Sequence, residues 1–298
     1  MDRRTMLIAL GGAAVAGAGA SYFFLNNEPM NPAPQRDGKV LCDIHAHPTH
    51  KASLEEITQG LSSPGLVGLT VKNIDKSGED ILTYEQASER LGKQCTQLDT
   101  GRLAKYKDGY FCRTQELLVG RHHVLALGWQ GDYFPNYNTI EQAVTAIHKQ
   151  QGIAILTHPF ALAGGSSMAL PQSPQEQEII RNAYKNVDEV EVHNAFCIDL
   201  IPNSLAMRKA NEAAEQLRET QFPNFKGTYG GDCHRQWNQI KLGGMYVDTS
   251  VIERDGMDGL KNALVQGQFE RYGSIGVGPY VSRFSFLRGV LGDMWAIR

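Results

Sequence analysis

The sequence predicts an α/β domain of barrel size, and three observations lead there. Beyond residue 38, short apolar runs alternate with amphipathic stretches, which implies parallel strands joined by helical crossovers, in a barrel or an open sheet. The chain has 298 residues, 42% of them hydrophobic, enough to bury one large core without disulfides. Histidines and acidic residues collect at the ends of the apolar runs, where α/β barrels carry their functional groups.

The chain opens on a different pattern. Arg3 and Arg4 precede an uncharged run from Met6 to Leu25, rich in Ala, Gly and Leu, with the small triplet Ala18-Gly19-Ala20. A basic start, an apolar stretch and small residues describe a secretory signal. Asp2-Arg3-Arg4-Thr5-Met6-Leu7 resembles a twin-arginine export signal. The run is also close to the roughly 20 residues that span a bilayer. Residues 1–25 are therefore read as a cleaved leader or a membrane anchor, with both open, and as the chain's one membrane element. The expected location is the periplasm or the cell surface. Residues 26–38, rich in Pro and Asn, read as a linker.

The body of the domain, 39–283, reads as follows. Strands are predicted at Val40–Ile44, Leu66–Val71, Gln115–Val119, His123–Leu127, Ile153–Leu156, Glu189–Val192, Lys226–Gly230 and Gly244–Val247. Helices are predicted at Thr139–Gln150, Pro174–Asn186, Asn203–Glu219 and Met257–Gln266. The third is the clearest, with Ala206, Ala210, Ala213 and Leu217 at helical spacing. Ser173-Pro174-Gln175-Glu176 supplies a cap, a proline at the first helical position and a capping Glu. Residues 284–298 read as a tail helix packing back on the barrel.

Five cysteines show no CxxC pairing, which argues against a structural zinc site. Export allows a disulfide, with Cys95–Cys112 the better pairing. Cys42 and Cys233 sit on predicted core strands and read as buried free thiols. A net charge of −3 and the lack of any Lys/Arg-rich stretch give no sign of a nucleic-acid partner.

His45 and His47 lie two apart at a strand end, so strand alternation places both imidazoles on one face, with Asp43 beside them. Imidazoles and carboxylates on one face suit Zn, Mn or Fe. His158 closes the run Ile153–Thr157, and Asp232 and His234 follow Lys226–Gly230. Glu116 lies on the first arm of a hairpin turning at Gly120-Arg121. A two-residue turn pairs Leu118 with His123, puts His123 on the Glu116 face and turns His122 away; a three-residue loop reverses that choice. Trp129, Asp132, Tyr133 and Tyr137 form a candidate substrate-facing loop, and Gly164–Ser167 a candidate lid.

These motifs, in this order, resemble the polymerase-and-histidinol-phosphatase (PHP) superfamily: Asp43-Ile44-His45-Ala46-His47, Gly65–Thr70, Glu116 followed by His123–Gly128, Thr157-His158-Pro159, Asp188–Asn194, Gly230–His234 and the closing Leu260…Leu264…Gly267. The likeness covers residues 39 to 275. It implies a distorted (β/α)7 TIM-like barrel and a phosphoesterase that uses a metal-activated water on a small phosphorylated substrate. By position, His45, His47, Glu116 and Asp232 would hold one metal. Glu116 would bridge to a second, held by His123 and His158, with Asp232 and His234 closing the site. Glu191 and Asn194 would orient ligands, and Arg235 is a candidate phosphate clamp.

The sequence departs from the family where a Thr-Asp-His stretch is usual. Here Thr70-Val71-Lys72-Asn73 stands instead, and Ser53 or His50 stands near another missing ligand. The expectation is two divalent ions rather than three, with the Lys72 ammonium in place of the outer cation, binding a phosphate oxygen or pairing with Asp232. Two other readings remain open: an amidohydrolase-like amide or ester hydrolase, and an inactive metal-binding member.

Overall fold

The computed structural model describes residues 34–47, 65–72, 82–120, 122–133, 135–160, 174–194, 205–234 and 243–273. In chain order its first elements are β1 (Lys39–His47), β2 (Gly65–Lys72), α1 (Tyr84–Leu91), β3 (Cys95–Asp99), β4 (Leu103–Tyr106), β5 (Gly109–Val119) and β6 (His122–Leu127). They are followed by α2 (Ile140–Lys149), β7 (Ile153–Thr157), α3 (Pro174–Asn186), β8 (Glu189–Asn194) and α4 (Leu205–Gln221). The last are β9 (Thr228–Gly230), β10 (Cys233–His234), β11 (Gly243–Asp248), α5 (Thr249–Gln266) and β12 (Glu270–Gly273).

The predicted barrel is present and nearly closed. The strands run in the order β1-β2-β5-β6-β7-β8-β9. β10, just after β9, returns to pair in parallel with the end of β1 at Ala46 and His47. β9 and β10 share the seventh position. β6 is the distortion: it is antiparallel to both neighbours, because it returns from β5 through a two-residue turn. β11 and β12 add an antiparallel flap beside the first half of β1.

Packing divides the barrel into layers. The outer faces of β5–β8 bury Leu117, Val124, Leu156 and Val190 against α2, α3 and α4. α2 shows why: Thr139 caps it, and Ile140, Ala143, Val144 and Ile147 recur on one buried stripe. Inside, Val40, Cys42, Leu66, Tyr110, Cys112, Leu127 and Ile155 join Ile252, Met257, Leu260 and Leu264 of α5 in one apolar cluster. That fills the end of the barrel away from the parallel strands' C-termini. The opposite end carries the buried polar residues.

Several elements differ from expectation. β5 begins six residues before the predicted Gln115. α1 and the β3–β4 hairpin are additional: β3 buries no residue fully and β4 is only a four-residue run, and α1 is held by a Thr83–Gln86 capping box. α5 begins at Thr249 rather than Met257. It contains a break at Gly256, whose φ of 60° departs from a helix. The Cys95–Cys112 disulfide is not formed. β4 lies between β3 and β5, pairing Cys95 with Tyr106 and Leu103 with Cys112. Two strand spacings, about 10 Å, exceed the roughly 7 Å a disulfide can bridge. Neither cysteine is in a disulfide, and neither is buried Cys42.

All the described residues belong to one compact unit. The leader or anchor over 1–25 and the tail helix over 284–298 lie outside the described residues. Among the described residues no helix is long and apolar enough to cross a membrane.

Candidate metal centre

Strict alternation along β1 would place Asp43, His45 and His47 together. The structure instead inserts a bulge: Asp43 pairs with Val67 and Ala46 with Leu69, so one extra residue sits on β1. Ile44 stays in the interior apolar cluster while Ala46 packs in the outer cluster with Val67 and Leu69. Gly68 on β2 makes room for it, since a Cβ there would meet the Ile44 carbonyl oxygen at 2.3 Å. Beyond the bulge His45 and His47 turn into the barrel mouth. Asp43 is buried behind them, with its Oδ1 accepting from the Gly231 and His45 N–H groups at 2.9 and 3.3 Å.

Four side chains converge there. His45 Nε2 lies 3.5 Å from Glu116 Oε1 and 3.4 Å from Asp232 Oδ1. His47 Nε2 lies 3.5 Å from Glu116 Oε2 and 3.4 Å from the same Asp232 oxygen. Ligand atoms arranged tetrahedrally about 2.0–2.1 Å from a zinc ion are about 3.3–3.4 Å apart. His45, His47 and Asp232 thus offer one buried group of ligand atoms, all within 4.8 Å of one another, that could hold a small divalent ion. His45, Glu116 and His158 form a second group whose ligand atoms lie within 4.8 Å of one another. Though buried, His45 Nε2 and His123 Nε2 have no hydrogen-bond partner among the described residues. Orphaned imidazole nitrogens are costly in a protein interior unless something else satisfies them. A metal fits these residues.

The imidazoles are oriented from behind. His45 Nδ1 is 2.9 Å from Glu191 Oε1, and His47 Nδ1 is 2.9 Å from the Thr70 carbonyl oxygen. Each bond fixes Nδ1 as the protonated nitrogen and turns Nε2 forward. Glu191 Oε2 accepts from the His158 backbone N–H and from Asn194 Nδ2, which also donates to Asp232. Thr157 Oγ1 donates to Glu116 Oε1 at 3.3 Å. His158 and Asp232, each just past a strand, have φ of 26° and 47°. Such backbone costs about 1–3 kcal/mol per residue. The His158 N–H bond to Glu191 and the Asp232 N–H bond to the His45 carbonyl, at 2.6 Å, hold it in place.

Electrostatics follow from the crowding. Burial alone would lower the pKa of His45, but Asp232, Glu191 and Glu116 outweigh it and hold it well above its usual value. His158 is raised in the same way, burial being overcome by Glu116 and Asp232. Burial would raise Glu116, yet His123, Lys72 and His158 hold it well below the usual carboxylate range. For His123 burial wins and its pKa falls. The carboxylates thus favour positive charge at His45 and His158, a role a divalent cation would take over.

The structure thus brings together His45, His47, Glu116, His123, His158 and Asp232, with Lys72 beside them. The hairpin has the two-residue register, Leu118 against His123. Lys72 points into the site, and the carboxylate it meets is Glu116, at 3.4 Å. His234 pairs with His47 through its backbone; its side chain lies outside the described residues, as do Arg235, His50, Ser53 and Gly164–Ser167. The aromatic loop is not substrate-facing. Because β6 is antiparallel, Trp129 and Tyr133 leave the barrel's far end, where Arg113 binds the Trp129 and Gly131 carbonyls and the Tyr133 hydroxyl. Asp132 and Tyr137 belong to the same segment. His148 sits exposed on α2, paired with Asp188. Thr70, Thr157 and Gly68 were not legible as site residues, since Thr and Gly in a strand carry no signal of their own.

No protein-family model and no curated protein matches the sequence. Among solved structures, the chain is similar to PsfC from Pseudomonas syringae PB-5123, with TM-score 0.51 and 16% identity over 87% of this chain and 99% of that one. It is also similar to a two-domain protein from Bacteroides vulgatus ATCC 8482, described as containing a predicted PHP-like metal-dependent phosphoesterase. There the TM-score is 0.49 and identity 13%, over 81% of this chain and 67% of that one. The lesion-specific endonuclease Q from Pyrococcus furiosus has TM-score 0.47 and 14% identity, over 78% of this chain and 57% of its own length. At these identities the likeness concerns the fold. The expectation that no nucleic acid is involved is withdrawn: endonuclease Q has been solved with a 27-mer duplex substrate carrying an abasic lesion at the active site.

Proposed function

We propose that the protein is a PHP-type metal-dependent phosphoester hydrolase, exported under its twin-arginine-like N-terminus and using two divalent ions of Zn, Mn or Fe. The observation that carries this reading is a buried pair of overlapping donor groups, His45, His47 and Asp232 beside His45, Glu116 and His158, with the ligand atoms of each group within 4.8 Å of one another. Glu116 and His158, with His123 behind Glu116 at 2.7 Å, supply the neighbouring position. Divalent ions there would polarise phosphoryl oxygens and make a water acidic enough to act as nucleophile at neutral pH. The chain's own part is to hold the donors. Glu191 and the Thr70 carbonyl turn His45 and His47 forward, and Asn194 ties Asp232 to Glu191. His234 and Arg235, next in the chain, enter the proposal as a further ligand and a phosphate clamp.

The test is turnover by the full chain reconstituted in turn with Zn, Mn and Fe. Substrates are p-nitrophenyl phosphate, its bis-ester, an abasic DNA duplex and a panel of amides. Metal-dependent hydrolysis of a phosphoester is expected, and His45→Ala should abolish it. Turnover of amides alone, or of nothing with any metal, would overturn the reading.

A further inference from the structure

Among the described residues, Lys72 is the most exposed of the charged side chains gathered at the centre. Its side chain is 12% exposed, against 2–6% for Glu116, Asp232, His47 and His158. It reaches this place through strand register. Lys72 and Glu116 are directly paired on β2 and β5, as Thr70 and Thr114 are two residues earlier. The two threonine hydroxyls meet at 2.7 Å, and the Lys72 ammonium comes 3.4 Å from Glu116 Oε2. That same oxygen faces His47 Nε2 at 3.5 Å. A cation is thus held beside a carboxylate of the metal donor set, on the side nearer solvent.

We propose that Lys72 is a substrate-binding residue that takes an anionic phosphoryl oxygen at the mouth of the metal centre. The inference rests on the phosphoesterase reading and narrows it to substrates that present a charged oxygen next to Glu116. An ammonium carries three N–H donors, so it can serve Glu116 and a substrate oxygen together. The β2–β5 pairing fixes where it does so. A neutral amide or ester carbonyl gains little from such a group, whereas a phosphoryl oxygen gains a charge-assisted hydrogen bond.

The probe is inorganic phosphate, titrated calorimetrically into the metal-loaded full chain and into K72M and K72R, with metal content measured on the same samples. K72M should retain its metals and bind phosphate at least tenfold more weakly, and K72R should recover part of the loss. Phosphate binding by K72M within twofold of the original chain would overturn the proposal. So would loss of metal from K72M, since Lys72 would then serve only to balance Glu116. A chain that hydrolyses no phosphoester yet binds phosphate through Lys72 would refute the activity and keep the anchor. Active enzyme with unchanged phosphate binding in K72M would do the reverse.

Discussion

A methyl group on Gly68 would sit 2.3 Å from the Ile44 carbonyl oxygen, about 1 Å inside ordinary contact, and the atom it meets is backbone. Gly68→Ala must therefore push β2 away from the bulge or flatten the bulge itself. Overpacking of this kind costs about 1–3 kcal/mol. In a domain of this size that lowers Tm by about 2–12 °C. The site should suffer more than the fold, because His45 and His47 take their direction from the bulge and their donor spacing tolerates little displacement. A metal affinity at least tenfold weaker is expected, on the scale of lost ligand orientation. The assays are thermal unfolding of the metal-free protein and metal titration against a competing chelator. Gly38→Ala is the control: its φ of 69° makes substitution mildly strained, but no atom lies within 4 Å of the added carbon. It should lower Tm slightly and leave metal affinity alone. Wild-type affinity in Gly68→Ala would refute the bulge as the device that aims the two histidines.

Glu191→Ala removes the carboxylate that sets the His45 tautomer and anchors His158; metal affinity should fall about 10–100-fold in chelator competition. Because the pKa of His45 is raised above 6.5, an arriving ion must displace its proton. Binding should release protons, measurable as buffer-dependent calorimetric heat, and weaken from pH 8 to pH 6; binding without proton release would contradict this. In the metal-free protein the same proton stabilises the fold below about pH 6.5, and that contribution is lost as pH rises through the folded pKa. Thiol titration should find half-buried Cys95 reactive, and buried Cys42 and Cys112 accessible only on unfolding. Burial pushes the Cys112 thiol up, reinforcing its inertness.

Much of the centre was legible because it follows local rules. Strand ends carrying His45, His47, His158 and Asp232 could be read from apolar runs, and a two-residue turn placed His123 rather than His122 toward Glu116. α2 and α4 were legible from a single apolar stripe each. α1 and the β3–β4 hairpin were not, because their polar residues form structure only through capping and pairing with β5. The Cys95–Cys112 pairing failed for the same reason, since nothing local announces that a strand will come between two cysteines.

By itself the sequence determined which residues could hold a metal, their order, and the alternation of strands and helices that leads to a barrel. These depend on side-chain type and short-range period, which a chain displays without folding. Tertiary structure alone decided the rest. It separated Asp43 from His45 by a bulge, because the Gly68 position leaves room for the Ile44 carbonyl. It sent the aromatic loop to the far end, because β6 runs against its neighbours. It set Lys72 against Glu116, because β2 and β5 pair in that register. Each depends on where a second strand lies, and local pattern holds no record of that.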